Sequence, residues 1–239
     1  MAEPAAATRR RAPRGQGDRL RGEVLSAAMD LLAETGDEEA VSLRAVAQRV
    51  GVSVPSIYLH FADKQALLDA VCEAVFDALY VRMREASEGA PHAFEGLRRQ
   101  GIAYVNFAVA NPEHYRIVLM RKSAGGDPVA AATDMVIATG AFGHLMASVQ
   151  ECVEAGLFEG EPLELGLRLW AAAHGVAALL VAKPYFPWPP QADFIDQTIR
   201  MAGLGLIVGA RTGLDCETAT MAQWLAVADA VSRTRPTDS

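Results

Sequence analysis

The stretch VSLRAVAQRVGVSVPSIYLHFADKQALL, from Val41 to Leu68, constrains the fold more than any other part of the chain. Ala47, Gly51 and Ile57 stand four and then six residues apart, flanked by Val46, Val50 and Val52. That spacing suits two short helices crossing steeply, with a small Ala where they touch, a Gly for the turn and an Ile in the shared apolar centre. Ser42 is placed to N-cap a helix ending at Val50, and Gly51 follows where a left-handed turn residue belongs. Ser53 is placed to cap a third helix running to about Phe61, with Pro55 in its first turn where a missing N–H costs nothing. Asp63 then caps a long fourth helix carrying Leu67, Leu68, Val71, Val75, Leu79 and Met83. The unit so formed is a helix-turn-helix.

Helical periodicity extends to the rest of the chain. Leu20, Val24, Ala27, Ala28, Leu31 and Leu32 share one stripe, which predicts a first helix from Asp18 to Thr35 with Gly36 as its stop. After Gly89-Ala-Pro91 the pattern predicts helices near 92–110, 112–122, 128–156, 162–182, 191–211 and 215–233. No alternating strand pattern and no repeat interrupts them. The predicted fold is all-α with about ten helices. Residues 1–17, rich in Ala, Pro, Gly and Arg, read as a flexible arm.

Composition excludes several classes. With 51% hydrophobic and 21% charged residues over 239 positions, the chain is neither wholly disordered nor a disulfide scaffold. Cys72, Cys152 and Cys216 form no redox or metal pattern, which suits small buried hydrophobes in a reduced, cytoplasmic setting. No apolar stretch follows the basic N-terminus as a signal peptide requires. The uncharged run from Leu169 to Ala182 is shorter than the roughly 18 residues of a membrane helix and reads as buried, so no membrane partner is expected. The His residues at 60, 92, 114, 144 and 174 lack HExxH spacing, and no GxSxG, GxGxxG or P-loop pattern occurs. Neither an enzyme nor a metal or cofactor site is indicated.

The net charge of -7 argues at first against nucleic acid, but it is unevenly spread. Residues 1–64 hold nine basic and nine acidic side chains, so the whole deficit belongs to residues 65–239. Residues 1–21 contain six Arg against Glu3 and Asp18, a local +4. An arm bearing Arg9, Arg10 and Arg11 beside a major-groove reader has the chemistry to enter the minor groove, and equally that of a solubilising tail. Ser53 and Ser56 offer hydroxyls to phosphates or bases near the start of the third helix.

The run Tyr58-Leu-His-Phe61-Ala-Asp63-Lys64-Gln-Ala-Leu67-Leu68 closely resembles the signature of the tetracycline-repressor (TetR) family of transcriptional regulators. The resemblance covers Asp18 to about Leu79. It implies that the third helix is the recognition helix, that Tyr58, His60 and Lys64 clamp phosphates, and that Arg44 reaches a guanine edge, a contact Arg makes bidentately. Val54 and Leu59 are apolar where a base reader would stand, so direct readout is sparse. Tyr58 also reads as a core aromatic, His60 as a solvated helix-end residue and Arg44 as an ion-pair partner. On this reading residues 18–64 form the DNA-binding domain.

Residues 65–239 are then left for effector binding and dimerisation, which the resemblance also implies. Trp170-Ala-Ala-Ala-His174-Gly175 puts Trp and His on one helix face and resembles the Trp-x-x-x-His-Gly motif of a subset of the family; a buried core pair is the competing reading. An apolar sensing cavity is expected among the fourth, fifth, seventh and eighth helices. Its candidates are Tyr104, Phe107, Met135, Phe142, Met146, Trp170 and His174, together with Phe76, Tyr115, Met120 and His144. A face of Ile195, Ile199, Ala202, Gly203, Leu206, Gly209 and Ala210 suits tight packing across a dimer of the helices near 162–182 and 191–211. The expected protein is a homodimeric repressor released from a palindromic double-stranded DNA operator by a small apolar or amphipathic effector. The alternative is a helical ligand-binding or adaptor protein with a degenerate helix-turn-helix.

Overall fold

The computed structural model describes residues 16–119, 140–213 and 220–233. Among them are ten α-helices and no strand: α1 (Gln16–Thr35), α2 (Leu43–Val50), α3 (Val54–Tyr58), α4 (Lys64–Ser87), α5 (Ala93–Ala110), α6 (Pro112–Leu119), α7 (Gly140–Glu154), α8 (Pro162–Ala182), α9 (Gln191–Thr212) and α10 (Met221–Arg233). The all-α expectation is met. Arg9, Arg10, Arg11, Met120, Met135 and Cys216 lie outside the described residues.

The chain groups into two units. The first comprises residues 1–75 with 111–122, and the second comprises 76–110 with 123–239. Helix α4 runs through both groups, and α6 joins the first, where it packs on α1. The buried centre of the first unit is Val24, Ala28, Leu32, Val41, Val46, Ile57, Leu67, Val71 and Tyr115. Tyr115, a candidate for the sensing cavity, is fully buried in this unit. His114 Nε2 lies 3.1 Å from the Met29 carbonyl and ties α6 to α1.

In the second unit α5 packs against α7, α8 and α9, and α8 packs against α7 and α9. Helix α8 is long and apolar enough to span a membrane by length and composition, with mean hydropathy 1.6. Here its Leu165, Gly166, Ala173, Val176, Ala177, Leu180 and Val181 are buried. Phe94 and Phe158 meet edge to face at 6.4 Å beside a cluster of Leu97, Val149, Cys152 and Leu165. Cys72 and Cys152 are buried, and burial pushes the Cys152 thiol up to about 11.

Part of the face of α9 expected to meet a partner is used within the chain, while Ala202, Leu206, Gly209 and Ala210 are half-buried. Ile195, Ile199 and Gly203 are buried. A Cβ at Gly203 would stand 2.5 Å from Phe94, and one at Gly101 would stand 2.8 Å from Ile199. The small residues let α5 and α9 approach closely. The exposed side of α9 carries Met201 and Leu204, and that of α8 carries Leu163, Leu167 and Leu179.

A charged network also joins α5 to α9. Arg98 bonds Glu95 at 2.8 Å and pairs with Asp196; Arg99 bonds Glu95 at 2.9 Å, and Arg200 reaches Asp196 at 3.3 Å. The Arg98 hydrogen bond, reinforced by Arg99, holds the Glu95 carboxyl down at about 2. A carboxyl with a depressed folded pKa stabilises the fold above its ordinary value near 4.5 and loses that contribution as pH falls toward 2. Glu95→Gln is expected to cost about 1.5 to 3 kcal/mol at neutral pH. It should also flatten the loss of stability between pH 4.5 and 2, as read by denaturant unfolding across that range.

Candidate functional site

The local signals that build the helix-turn-helix are satisfied as the sequence predicts at both ends. Ser42 Oγ accepts from the Ala45 N–H at 3.1 Å, and Asp63 Oδ1 accepts from the Ala66 N–H at 2.8 Å. Gly51 has φ +76°, and its N–H donates to the Ala47 carbonyl at 2.9 Å. A Cβ there would meet nothing within 4 Å, so the left-handed backbone and not crowding asks for glycine. Ala47 and Ile57 are 2% and 0% exposed, which makes them the interior of the α2–α3 pair.

Helix α3 departs from expectation. It ends at Tyr58 rather than Phe61, where the Ile57 carbonyl is shared between the His60 N–H at 2.9 Å and the Phe61 N–H at 3.0 Å. Ser53 occupies the N-cap position without a capping bond; its hydroxyl lies 2.8 Å from that of Ser56. The two hydroxyls bond each other.

The surface above this core is well defined. Tyr58 is 54% and Leu59 78% exposed, so Tyr58 is not a core aromatic here, whereas Phe61 is buried. Arg44 is exposed and pairs with no described acid. Val54, Ser56 and His60 are half-buried, and Ser53 is exposed. Lys64 Nζ lies 3.1 Å from Glu39 Oε2, an exposed pair that leaves the ammonium partly engaged. Two contacts had no signature in the sequence because their partners are distant along the chain. Arg21 stacks 5.3 Å over the Phe61 ring, and Arg49 forms a two-pronged pair with Glu34 that ties α2 to α1.

The second unit brings four of the predicted effector residues together. Trp170 Nε1–H donates to the Tyr104 oxygen at 3.3 Å, and that hydroxyl lies 2.9 Å from His174 Nδ1. Phe142 meets Trp170 edge to face at 6.3 Å. Burial holds His174 below its ordinary value. Met146 packs over Gly166, where a Cβ would stand 2.7 Å from its sulfur. Phe107 is half-buried on α5. His144, expected as a polar contact in the apolar set, instead bonds Ser87 at 3.1 Å and meets Tyr80 edge to face at 5.7 Å.

Comparison with known proteins defines the class. Residues 24–71 match the family model for bacterial regulatory proteins of the tetR family, and residues 97–202 match that for the tetracyclin repressor-like C-terminal domain. The chain belongs to the TetR family of regulatory proteins, whose members are transcription regulators and not enzymes. It is 30% identical over 110 residues to the HTH-type transcriptional repressor KstR2 of Mycobacterium tuberculosis, covering 46% of this chain and 54% of that one. The chain thus spans about half the length of the curated relatives it matches. Among solved structures, a protein of unknown function from Rhodococcus sp. RHA1 is 29% identical with a TM-score of 0.64, covering 80% of this chain and 94% of that one. The regulator FadR of Bacillus subtilis in complex with stearoyl-CoA is 13% identical with a TM-score of 0.64, covering 77% and 98%, and shares the fold.

Tyr104 is the hinge of the aromatic cluster, touching both Trp170 and His174. Tyr104→Phe keeps the ring and removes both bonds, and is expected to cost about 1 to 2 kcal/mol of unfolding free energy. Denaturant titration of the two proteins checks it, and equal midpoints would make the phenol a bystander.

Proposed function

We propose that this chain is a homodimeric, ligand-responsive transcriptional repressor that reads a palindromic operator in double-stranded DNA. The observation that carries the reading is the packed helix-turn-helix with Arg44, Tyr58 and Leu59 standing exposed on its surface. Arg44 supplies a base-edge contact, while Tyr58, His60, Lys64, Ser53 and Ser56 bond phosphates, and Val54 lines the approach. Arg9, Arg10 and Arg11 of the arm add minor-groove charge. Residues 18–64 act as the reader and 65–239 as the sensor and dimer contact.

A second copy pairs through the exposed sides of α8 and α9, where Leu163, Leu167 and Leu204 stand 45%, 42% and 42% exposed and Met201 70%. Such a pair sets two recognition helices about 34 Å apart, or a multiple of one DNA turn. The effector is a small apolar or amphipathic molecule held by Tyr104, Phe107, Phe142, Met135, Met146, Trp170 and His174, with the Trp-x-x-x-His-Gly motif at its centre. That FadR accommodates stearoyl-CoA in the same fold supports an amphipathic ligand. Helix α4, which runs through both units, transmits the effect, and a 100-fold loss of operator affinity needs about 2.7 kcal/mol of coupling.

Gel shifts at graded salt test this reading. A regulator binds a palindromic duplex with affinity that falls as salt rises, whereas an adaptor with a degenerate helix-turn-helix binds no duplex. Arg44→Ala is expected to relax preference at one operator position by about 1 to 3 kcal/mol; unchanged preference would remove Arg44 from readout. Deleting residues 1–17 should weaken binding and flatten the salt slope, and equal slopes would reduce the arm to a tail.

A further inference from the structure

The outward side of α3 has a chemistry of its own. Ile57 is fully buried, and it fixes which side of the helix faces inward. Two positions along a helix correspond to a turn of about 200°, so the side opposite Ile57 belongs to Pro55 and Leu59. Leu59 sits at the C-cap with φ −69° and ψ −18°, so the helical turn carries through it. Pro55 and Leu59 are therefore i, i+4 neighbours on one ridge. Both are exposed, Leu59 at 78%. Neither side chain can donate or accept a hydrogen bond.

The flanks of this ridge are polar. Tyr58, 54% exposed, lies a quarter-turn to one side, and Ser56, whose hydroxyl is 2.8 Å from that of Ser53, lies a quarter-turn to the other. A single exposed leucine is ordinary on a protein surface. An apolar ridge along the outward side of a recognition helix is a different matter, because the base edges it meets consist almost wholly of donors and acceptors. A leucine laid on the edge of a G·C pair strips water from those groups and returns no hydrogen bond. The C5-methyl of thymine is the one apolar group that the major groove presents.

We propose that Leu59, with Pro55 beside it, reads the methyl group of a thymine in each operator half-site. The inference rests on the assignment of the helix-turn-helix to duplex DNA and adds the class of sequence selected. Thymine at the position facing α3 is favoured twice, by burial of its methyl against Leu59 and by the penalty that an apolar side chain imposes on a G·C edge. Specificity at this position then comes from contact and not from hydrogen bonds, which are left to Arg44 on α2.

Competition binding by the full chain, on the duplex it selects from a random library, tests this with each thymine replaced singly by deoxyuridine. The replacement deletes one methyl and keeps every hydrogen-bonding group of the edge. At one thymine in each half-site the loss of affinity is expected to be about 4-fold, the worth of one buried methyl. Leu59→Ala, at an exposed position that leaves the core intact, should bind the thymine and deoxyuridine duplexes equally there, with an unchanged unfolding midpoint. Selected half-sites without thymine, indifference of the unaltered chain to every methyl, or full methyl discrimination by Leu59→Ala would each overturn the inference while DNA binding stands. Selection of no duplex would overturn the DNA reading, and the thymine contact with it.

Discussion

Close backbone approach at small residues is the constraint on which the rest of this fold depends. Helices can cross tightly only where a side chain is absent or minimal, and the chain meets this need at Ala47 in the first unit and at Gly101, Gly166 and Gly203 in the second. With Ala47 and Ile57 sealed inside the α2–α3 pair, Arg44, Tyr58 and Leu59 are left on its outer surface. A larger residue at 47 would force the two helices apart and disperse that surface.

The second unit solves a different problem with the same means. Gly203 brings α9 onto α5, and the Arg98–Glu95–Asp196 network then links the two helices by charge. Beyond this contact the interior of the unit divides into two chemistries. Tyr104, Phe142, Trp170 and His174 gather rings around one hydroxyl, while Gln100, Ser148, Ser87 and His144 gather hydrogen-bonding groups around a cleft. Gln100 and Tyr104 are one helical turn apart on α5, so a single helix supplies both environments.

What was legible in the sequence was local. The caps at Ser42 and Asp63 and the turn at Gly51 depend on residues at most four positions away, and each stands where the spacing puts it. The end of α3 was less legible, because the sharing of the Ile57 carbonyl between the His60 and Phe61 N–H groups leaves no mark in composition. The small-residue face of α9 announced a close approach but not its partner, and α5 of the same chain proved to be that partner. Lys64 with Glu39 and Arg21 with Phe61 join residues 25 or more positions apart, and no periodicity reports such pairs. Gln100 did leave a trace, as a polar residue in the apolar stripe of Leu97, Tyr104 and Ala108.

The central claim is that the exposed surface of α2 and α3 reads DNA as one half of a symmetric pair. Selection of bound duplexes from a random library by the full chain tests this most directly. The account predicts enrichment of an inverted repeat whose half-sites are centred about one DNA turn, or a multiple of it, apart. Enrichment of no sequence, or of a single unrepeated site, would contradict it.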